Sequence, residues 1–472
     1  MSSGRLPPGK VPWEVVARHL GDQLPDQVLL GPAAGEDAAL VRLGDETWAI
    51  ASDPISFGAP DAGRLAVIVN ANDVAVRGAR PRFFLAVILI APAEAEPSQI
   101  GKVLDDVRTT CRDLDVALLG GHTEVTPGID HSIVVGTMLG RVQARPIRTG
   151  DLEPGDRIGL LGSAGLEGSA ILLDRFRDRL EALHGRDAFA DLDRLLHEDW
   201  LLVAPAALAA AACPGVHSLH DVTEGGVGEA LHELGRASGL ELDVDPDRIP
   251  VLEGTRRLCA DLGLDPLGLI GSGALLLGCQ EESVPEVERR LEGQRRLTWI
   301  GRAGHRGTRP VARFERDELL AAGRLEGTRA VLFDLDGTLA EPIPGASELL
   351  TELREAGIAV AIVTSDERRD ARALVERFGL PHDLLVTGDD GSRKPPGAPL
   401  LMALGRLGVP LTDSASVGHS VHDLHAARAA GIPRICHVGR HRPPGPERPH
   451  LWFPDLACLR RGFALTCSAS RS

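Results

Sequence analysis

The stretch GRLAVIVNANDVAVRGARP, residues 63–81, decides the fold of the first part of this chain. Its apolar residues 67–69 are typical of an interior strand. Asn72 and Asp73 then place an amide and a carboxylate near the end of that strand, and Gly78 begins a small, rigid segment that lets another backbone approach. A carboxylate in this position can bind Mg²⁺, and the metal can in turn bind a nucleotide phosphate.

The composition indicates a soluble globular protein of about three domains. Hydrophobic residues make up 43% of the 472 residues, which is ample for packed cores. The formal net charge of −16 argues against nucleic-acid or acidic-membrane binding, because like charges repel phosphate. The first residues contain no apolar signal core, and no apolar run approaches the length of a membrane span. We therefore expect neither a nucleic acid nor a membrane as a partner.

The seven cysteines predict a reducing compartment. They include no CxxC pair and no closely spaced framework of the kind that disulfide-rich proteins carry. Reduced, mostly buried thiols are typical of the cytoplasm. We therefore expect a cytoplasmic protein.

Two further carboxylates accompany short apolar strands upstream of Asp73. Asp37 precedes the expected strand 38–43, and Asp53 follows the expected strand 48–52. Hard divalent cations prefer such clusters of oxygen ligands, so we expect the three acids to converge on a metal. The alternative is that each acid merely caps a loop.

The spacing of Asp73 and Gly78 resembles the D-x4-G-A-x-P signature of the aminoimidazole-ribotide synthetase superfamily. These ATP-dependent enzymes include selenophosphate synthetases, thiamine-monophosphate kinases and HypE-type hydrogenase-maturation dehydratases. Asp37 in GEDAA resembles the family's G-D-D-A-A motif, and Asp53 stands where the family has a T-T-D-like acid. The resemblance covers residues 1–315. It implies a PurM-like module that binds ATP and Mg²⁺ through these three acids. Asn72 and Gly78, in the same motif, are further candidates for contact with the nucleotide.

The motif GGHTEVTPG, residues 120–128, departs from the family pattern. Family members usually carry an acid directly after the two glycines, whereas this chain has His122, with Glu124 two residues later. His122 could be a softer ligand, a hydrogen-bond donor to phosphate or a general acid, and Glu124 could replace the missing carboxylate. The alternative is an ordinary surface histidine in a loop. Both residues are candidates for the nucleotide site.

The stretch HDVTEGG, residues 220–226, resembles the family's second glycine-rich motif, D-x-T-x-G-G. Asp221, Gly225 and Gly226 precede a predicted helix whose first amide groups point back at the turn. The resemblance implies that Asp221 and the glycines lie beside the phosphate acceptor. A simple helix N-cap by Thr223 is the alternative, and both can be true. Together with the preceding motif, this stretch looks nearest to the HypE-like branch.

A second catalytic signature lies in AVLFDLDGTLAEP, residues 330–342. An apolar strand delivers Asp334 and Asp336 at its carboxyl end, the usual place for active residues in an open α/β sheet. The pattern resembles motif I of the haloacid-dehalogenase-like (HAD) phosphohydrolases. The resemblance implies that Asp334 attacks phosphorus, and that Asp336 protonates the leaving group and later activates water, beside Mg²⁺.

The companion motifs follow in the family order. The resemblance implies that Thr364 binds phosphate, that Lys394 offsets negative charge and that Asp423 ligates the metal with Asp334 and Asp336. His419 occupies the place of an acid that normally ligates Mg²⁺ directly, and imidazole suits transition metals better. Either the metal preference has changed to another divalent ion, or the phosphatase activity is weak or lost.

The segment IPRIC, residues 432–436, has two interpretations. It resembles the tail of hydrogenase-maturation dehydratases, whose cysteine carries the group to be dehydrated. It also fits the strand that follows motif IV in a HAD fold, and 36 residues follow Cys436 here. We favour the strand.

These patterns predict an α/β protein, α+β in its N-terminal module, with a PurM-like two-domain ATP-binding module and a capless HAD-like Rossmannoid domain. The spacing between the HAD motifs leaves no room for a large cap. The predicted domains are an N-terminal ATP-binding domain at 1–142, its companion domain at 153–315, the HAD-like domain at 328–440 and a loosely ordered tail at 441–472.

The predicted function is bifunctional: ATP- and Mg²⁺-dependent phosphoryl transfer of the hydrogenase-maturation type, and phosphate-ester hydrolysis through an aspartyl-phosphate. One alternative is a phosphatase whose N-terminal module is a non-catalytic nucleotide-binding scaffold. The other is a non-catalytic maturation factor for a metalloenzyme. The expected partners are a small phosphate substrate or a maturation protein. A second copy of the chain is also expected, because family members commonly form homodimers through the N-terminal module.

Overall fold

The computed structural model describes residues 6, 9–20, 23–56, 61–196, 201–304, 311–314, 316–340, 343–390, 397–443 and 448–467. The chain divides into two compact units. The first comprises the chain up to Ile171, Asp191–Leu252 and Leu267–Arg316, and the second comprises Leu172–Ala190, Glu253–Pro266 and the chain from Asp317 onward. None of the helices in the described ranges is both long enough and apolar enough to cross a membrane.

The described part of the first unit contains two sheets. The strands of the larger sheet are β1 (Val28–Leu30), β2 (Ala39–Leu43), β3 (Glu46–Ala51), β4 (Pro54–Ile55), β5 (Ala79–Ile90), β6 (Ala117–Val125) and β7 (Ile133–Val142). Their order is β1-β2-β3-β7-β5-β6, and β4 pairs with β7. Only β5 and β6 pair in parallel; the other pairs are antiparallel.

The smaller sheet is antiparallel throughout. Its strands are β8 (Arg157–Leu161), β9 (Val216–Asp221), β10 (Leu242–Val244), β11 (Leu275–Cys279) and β12 (Leu297–Ala303), in the order β10-β12-β8-β11-β9. The helices that accompany the two sheets are α1 (Trp13–Ala17), α2 (Ala62–Ala75), α3 (Pro97–Asp113), α5 (Ala190–Leu196), α6 (Ala204–Ala211), α7 (Gly226–Ser238) and α9 (Val284–Arg290). Helix α4 (Leu166–His184) begins in the first unit, and its residues from Leu172 onward belong to the second.

Helix α2 occupies the place where we predicted an interior strand at 67–69, so that prediction is wrong. Every residue of α2 except Arg64 is buried. A helix that is apolar on all sides lacks the 3.6-residue periodicity by which a helix is recognised, and its sequence resembles that of a buried strand. Asp73 therefore lies in the last turn of a buried helix and not at the end of a strand.

The second unit is built on a parallel sheet. Its strands are β13 (Ala330–Phe333), β14 (Ala359–Val363), β15 (Leu384–Val386), β16 (Ser414–Gly418), β17 (Arg434–Val438) and β18 (Leu451–Phe453), in the order β15-β14-β13-β16-β17-β18. Its remaining helices are α8 (Glu253–Leu262), α10 (Ala346–Glu355), α11 (Arg368–Arg377), α12 (Ala398–Leu407), α13 (Val421–Ala430) and α14 (Leu456–Cys467).

The central strands β13 and β16 are completely buried, as expected of a parallel sheet covered on both faces. Asp334 and His419 directly follow these neighbouring strands, so both lie at the carboxyl edge of the sheet. Between β13 and β14, the described residues contain one helix, α10, and no cap. The α/β fold class, with α+β character in the first unit, is confirmed.

The prediction of a loosely ordered tail is wrong for residues 448–467. Strand β18 extends the parallel sheet beyond β17, and α14 follows it. Phe453, Leu459 and Leu465 are completely buried. The Pro- and Arg-rich stretch before β18 concealed two short apolar segments that the second unit needs for its core.

Candidate functional sites

Asp73 and Asp221 are two buried carboxylates that interact in the first unit. Asp73 lies in α2, and Asp221 ends β9. One oxygen of each, Asp73 Oδ2 and Asp221 Oδ1, has no hydrogen-bond partner among the described residues. Burial, and then the Asp221 charge, raise the pKa of Asp73 well above its usual range, and burial raises the pKa of Asp221 to about 7. Two neighbouring buried acids with unpaired oxygens fit a hard cation.

Asp53 lies beside this pair, between β3 and β4. Its backbone is held by Asn70, since the Asp53 N–H donates to Asn70 Oδ1 at 2.9 Å and Asn70 Nδ2 donates to the Asp53 carbonyl at 3.2 Å. Burial and the charge of Asp37 raise the pKa of Asp53, and a hydrogen bond with Asp73 opposes that rise. Asp37 and Asp73 thus both act on the pKa of Asp53, while the predicted convergence of the three acids on a metal stays a prediction.

Asp37 is engaged by two cationic side chains. Arg77 Nη2 donates to Asp37 Oδ2 at 2.6 Å, and His220 Nδ1 lies 2.9 Å from the same oxygen. Burial alone would raise the pKa of Asp37, but these two neighbours lower it. Arg77, which is completely buried, also donates to Glu36 Oε2 at 2.7 Å. Asp37 is thus less available to a metal than the sequence suggested.

His220 extends this network to Glu233. Its Nε2 lies 3.2 Å from Glu233 Oε2, and Lys10 Nζ donates to Glu233 Oε1 at 2.9 Å. Burial alone would lower the pKa of His220, but the charges and hydrogen bonds of Asp37 and Glu233 raise it to about 10. Sequence reasoning gave no role to Arg77 or His220. An arginine inside the otherwise apolar run DVAVRGA was a usable signal for the first.

The two units differ in how close their candidate metal ligands lie to one another. Within the described residues, only Asp334, His419 and Asp423 offer three ligand atoms that all lie within 4.8 Å of one another. Asp37, Asp53 and Asp73 interact electrostatically but do not form such a group. Their use as joint metal ligands stays a prediction.

His122 and Glu124 do not join the acids of the first unit in any contact of the described residues. Both are exposed on β6, an edge strand, and His122 Nε2 lies 3.2 Å from Glu124 Oε2. Strand β6 continues through the two glycines, where the sequence suggested a loop. The two side chains share a face of the strand because they are two residues apart.

Asn72 and Gly78, predicted to contact the nucleotide, have structural roles. Asn72 Oδ1 accepts from the N–H groups of Val203 and Ala204 at 2.9 and 3.1 Å, which caps α6. Its Nδ2 donates to the Leu201 carbonyl at 2.9 Å. Gly78 has a φ of +72°, and a Cβ there would lie 2.7 Å from the Arg145 carbonyl oxygen. Both residues therefore hold segments of the first unit together.

Gly225 and Gly226 stand at the start of α7, as predicted. Both have positive φ, and a Cβ on Gly226 would lie 2.6 Å from the carbonyl oxygens of Leu267 and Leu269. Gly226 is therefore required for close packing against that segment, whatever ligand the turn binds. Thr223 makes no side-chain cap to α7.

The second unit brings Asp334, Thr338, His419 and Asp423 together. Thr338 Oγ1 donates to Asp334 Oδ2 at 3.2 Å and lies 3.1 Å from His419 Nδ1. His419 Nδ1 lies 3.4 Å from Asp334 Oδ2 and 3.8 Å from Asp423 Oδ2. Asp423 also accepts from Ser420 Oγ at 2.7 Å in a capping box at the start of α13. Sequence reasoning missed Thr338, although it belongs to the quoted motif.

The other predicted HAD residues are placed as follows. Thr364 is buried directly after β14, and its Oγ1 accepts from the Asp366 N–H at 3.1 Å. Asp336 is exposed, two residues beyond Asp334. Lys394 lies outside the described residues.

His437 is a further residue of this site that the sequence did not reveal. It lies on β17 opposite Gly418, the residue before His419, and is only 6% exposed. Its Nδ1 has no hydrogen-bond partner among the described residues. Burial lowers the pKa of His437, and the neighbouring His419 lowers it further. A neutral imidazole therefore stands in the wall of the site.

Cys436 lies on β17, which confirms the interpretation of residues 432–436 as a strand. The thiol is buried, and burial raises its pKa to about 12. A thiol in this state is a poor nucleophile.

Three segments of the chain match known families. Residues 35–142 match the N-terminal domain of AIR synthase related protein, and residues 153–311 match its C-terminal domain. Residues 339–437 match the haloacid dehalogenase-like hydrolases. Asp334 and Asp336 lie just before this last match.

The chain is also similar to individual proteins. Carbamoyl dehydratase HypE of Azotobacter vinelandii is 33% identical over 305 residues, which cover 62% of this chain and 82% of the relative. A putative hydrogenase expression/formation protein of Methanocaldococcus jannaschii is 30% identical over 269 residues, covering 56% and 76%. A crystal structure of a HypE–HypF complex matches with a TM-score of 0.50 at 21% identity, covering 62% of this chain and 92% of that chain. That last likeness supports the fold alone.

Proposed function

We propose that this chain couples two phosphate chemistries, because it belongs to the AIR synthase related family as a HypE-like protein fused to a haloacid dehalogenase-like domain. The first unit uses ATP to activate an acceptor oxygen by phosphoryl transfer. The second unit hydrolyses a phosphate ester. The observation that carries the first proposal is the pair of buried, unpaired oxygens of Asp73 and Asp221.

In the first unit, Asp73, Asp53 and Asp221 are the residues that would hold Mg²⁺, since Asp73 and Asp221 are buried, Asp53 is partly buried, and their charges repel one another. The ion would neutralise phosphate charge on ATP. Arg77 and His220 keep the surrounding negative charge in balance by engaging Asp37.

The name carbamoyl dehydratase of one relative points to a carboxamide as the acceptor. Transfer of the γ-phosphoryl group to the carboxamide oxygen releases ADP and one proton from the amide nitrogen. Loss of the phosphate with that oxygen, and of the second amide proton, leaves a nitrile. The carrier of the carboxamide is a partner protein and not Cys436, whose thiol is buried.

In the second unit, Asp334 is the nucleophile that takes the phosphoryl group, and Asp336 is the acid and then the base. Thr338 holds one Asp334 oxygen, so the other is directed to phosphorus. Thr364 follows the neighbouring strand and binds a phosphate oxygen. Lys394 balances the charge. The ligand set does not fit Mg²⁺ well, because His419 supplies nitrogen where a hard cation prefers oxygen.

A second candidate function for the first unit is a nucleotide-binding scaffold without turnover. The specific observation in its favour is Asp37, whose carboxylate is already neutralised by Arg77 at 2.6 Å and by His220 at 2.9 Å. A scaffold would bind ATP in calorimetry but release neither ADP nor phosphate.

The deciding experiment assays the full chain with ATP and with phosphomonoesters. Asp73→Asn should lower ATP turnover at least about tenfold and leave ester hydrolysis unchanged, whereas Asp334→Asn should do the reverse. Asp115→Asn and Glu355→Gln, which change exposed acids, are the matched controls. Equal turnover in wild type and both variants would reject the bifunctional proposal.

The proposed partners are a maturation protein and a second copy of this chain. A complex of HypE with HypF is among the solved structures that share the fold of the first unit, and a protein partner for this chain is part of the proposal. The edge strand β6 is exposed along its whole length and carries Leu118, Leu119 and Val125. A long apolar edge of this kind favours pairing with another chain.

A further inference from the structure

The carboxyl edge of the second unit's sheet carries a mixed nitrogen and oxygen ligand set. Asp334, His419 and Asp423 each offer one ligand atom, and these atoms all lie within 4.8 Å of one another. Two of the three side chains are well shielded from solvent, with exposed fractions of 12% for Asp334 and 6% for Asp423. Asp334 and His419 directly follow the adjacent buried strands β13 and β16, and Asp423 lies in the first turn of α13. These three elements position the ligand set.

The distances in this group exceed those of hydrogen bonds. His419 Nδ1 is 3.4 Å from Asp334 Oδ2 and 3.8 Å from Asp423 Oδ2, whereas a direct charge-assisted bond would be about 2.7–2.9 Å. Bonds of 2.0–2.2 Å from zinc to nitrogen and oxygen place neighbouring ligands of a tetrahedral ion about 3.3–3.6 Å apart. The 3.4 Å separation lies within this range and the 3.8 Å separation lies just above it, so both suit ligands around an ion better than a closed ion pair.

The imidazole of His419 is oriented by its surroundings. Its Nδ1 faces Thr338, Asp334 and Asp423. On the opposite side of the ring, a Cβ on Gly337 would lie 2.6 Å from Nε2, so only glycine admits the ring against this loop. The nitrogen that faces the acids is thus the one available to a metal.

His437 supplies an independent sign that a ligand belongs here. It is 94% buried, and its Nδ1 has no hydrogen-bond partner among the described residues. It lies beside His419, because its register partner on β16 is Gly418. Leaving a buried polar nitrogen without a partner is destabilising, and a bound ion with its water shell would offset that cost.

We propose that the Asp334–His419–Asp423 group binds a first-row divalent transition-metal ion, such as Mn²⁺, Co²⁺ or Zn²⁺, in preference to Mg²⁺. Imidazole binds these ions well and Mg²⁺ poorly, since Mg²⁺ demands oxygen ligands in near-ideal octahedral geometry. The inference concerns the site of the proposed phosphohydrolase, and it rests on that proposal only for the chemical role of Asp334.

The test measures metal binding by the full chain without any turnover. The Asp73→Asn background removes a principal ligand of the first unit, so the remaining binding reports on the second. Calorimetry with Co²⁺, Zn²⁺ and Mg²⁺, and the visible absorption of bound Co²⁺, should show one transition-metal ion per chain. Its affinity should exceed that for Mg²⁺ by at least about tenfold.

Three variants sharpen the result. His419→Ala should weaken Co²⁺ binding at least about tenfold. His419→Asp restores an all-oxygen set and should shift the preference towards Mg²⁺ while keeping the fold. His422→Ala changes an exposed histidine of α13, three residues after His419, and should leave Co²⁺ binding unchanged.

Failure to bind Co²⁺ or Zn²⁺, equal affinity for Mg²⁺, or Co²⁺ binding that survives His419→Ala would overturn the inference. These outcomes differ from failure of the phosphohydrolase proposal. A chain that binds Co²⁺ through His419 but hydrolyses no ester supports the metal site alone, and a chain that hydrolyses esters equally well with Mg²⁺ supports the hydrolase alone.

Discussion

Arg77 Nη2 lies 2.6 Å from Asp37 Oδ2, and Nη1 of the same guanidinium lies 2.7 Å from Glu36 Oε2. The arginine side chain is completely buried, and its two partners are 15% and 6% exposed. One cation thus joins the end of α2 to the segment before β2. Without it Glu36 would lose its cationic partner and Asp37 would keep only His220, so the structure of the candidate ATP site depends on this residue.

Arg77→Met should destabilise the first unit by about 3–5 kcal/mol, because it leaves the buried Glu36 side chain without its cationic partner and Asp37 with His220 alone. Urea unfolding of the full chain, followed by circular dichroism, measures the change in the free energy of unfolding. Arg80→Met is the matched control, since Arg80 pairs with Asp115 on the surface at 3.1 Å and that pair should contribute at most about 1 kcal/mol. Equal destabilisation by both variants would contradict the role assigned to Arg77.

The His220 network predicts a pH-dependent stability. The pKa of His220 rises from 6.5 to about 10 on folding. Its contribution to the free energy of unfolding is therefore complete below pH 6.5 and is lost as the pH rises through 10. The pKa of Glu233 falls from 4.5 to about 2, because its contacts with His220 and Lys10 outweigh burial. Its contribution is complete above pH 4.5 and is lost as the pH falls through 2. Both contributions are therefore intact between pH 4.5 and 6.5.

His220→Gln should accordingly lower the melting temperature most in that window, and the difference from wild type should narrow towards pH 10. Differential scanning calorimetry at pH 6, 8 and 10 measures the melting temperatures of the variant and the wild type. His19→Gln, which changes an exposed histidine, should have no effect at any of these pH values. A difference that stays constant across the pH range would show that packing, and not the charge of His220, accounts for the loss.

The motifs predicted where several candidate site residues lie better than they predicted the local structure of the first motif. Asp334, Asp423 and Asp221 lie at strand or helix ends where the sequence indicated them, because turn and edge positions carry a local signature. The apolar run at 67–69 was misread as a strand, because burial on all sides removes periodicity.

Long-range pairing was the part that the sequence could not reveal. Arg77 meets Asp37 across 40 positions, and His220 meets Asp37 across 183. No local sequence pattern predicts contacts between residues so far apart in the chain. The positions of His122 and Glu124 on an exposed edge strand were hidden for the same reason, since strand order is a tertiary property.

Leu119→Glu should shift the chain from dimer to monomer if β6 is the edge through which two copies associate. Leu119 is 58% exposed on that strand, and a charge there would be buried in a strand-to-strand interface. Light scattering after size-exclusion chromatography gives the mass. Leu104→Glu, at a 43% exposed leucine on α3, should leave the mass unchanged. A dimer that persists in Leu119→Glu would place the interface elsewhere.

The last strand and helix should prove to be part of the second unit's core. Phe453 on β18 is completely buried, and a Cβ on Gly263 would lie 2.6 Å from its ring, so the ring packs directly on that backbone. The Trp452 N–H also donates to the Gly263 carbonyl at 2.8 Å. Phe453→Ala should therefore cost about 3–5 kcal/mol, because it removes a large side chain from a filled site.

Hydrogen exchange followed by mass spectrometry is the suitable measurement, since it reports on β17 and β18 separately from the first unit. Phe453→Ala should speed exchange in both strands by at least about a hundredfold, in line with the lost stability. Leu401→Ala, at a 45% exposed leucine of α12, should leave exchange in these strands unchanged. If β18 already exchanged freely in wild type and Phe453→Ala changed nothing in β17, the tail would be loosely ordered after all, as its Pro- and Arg-rich sequence predicted.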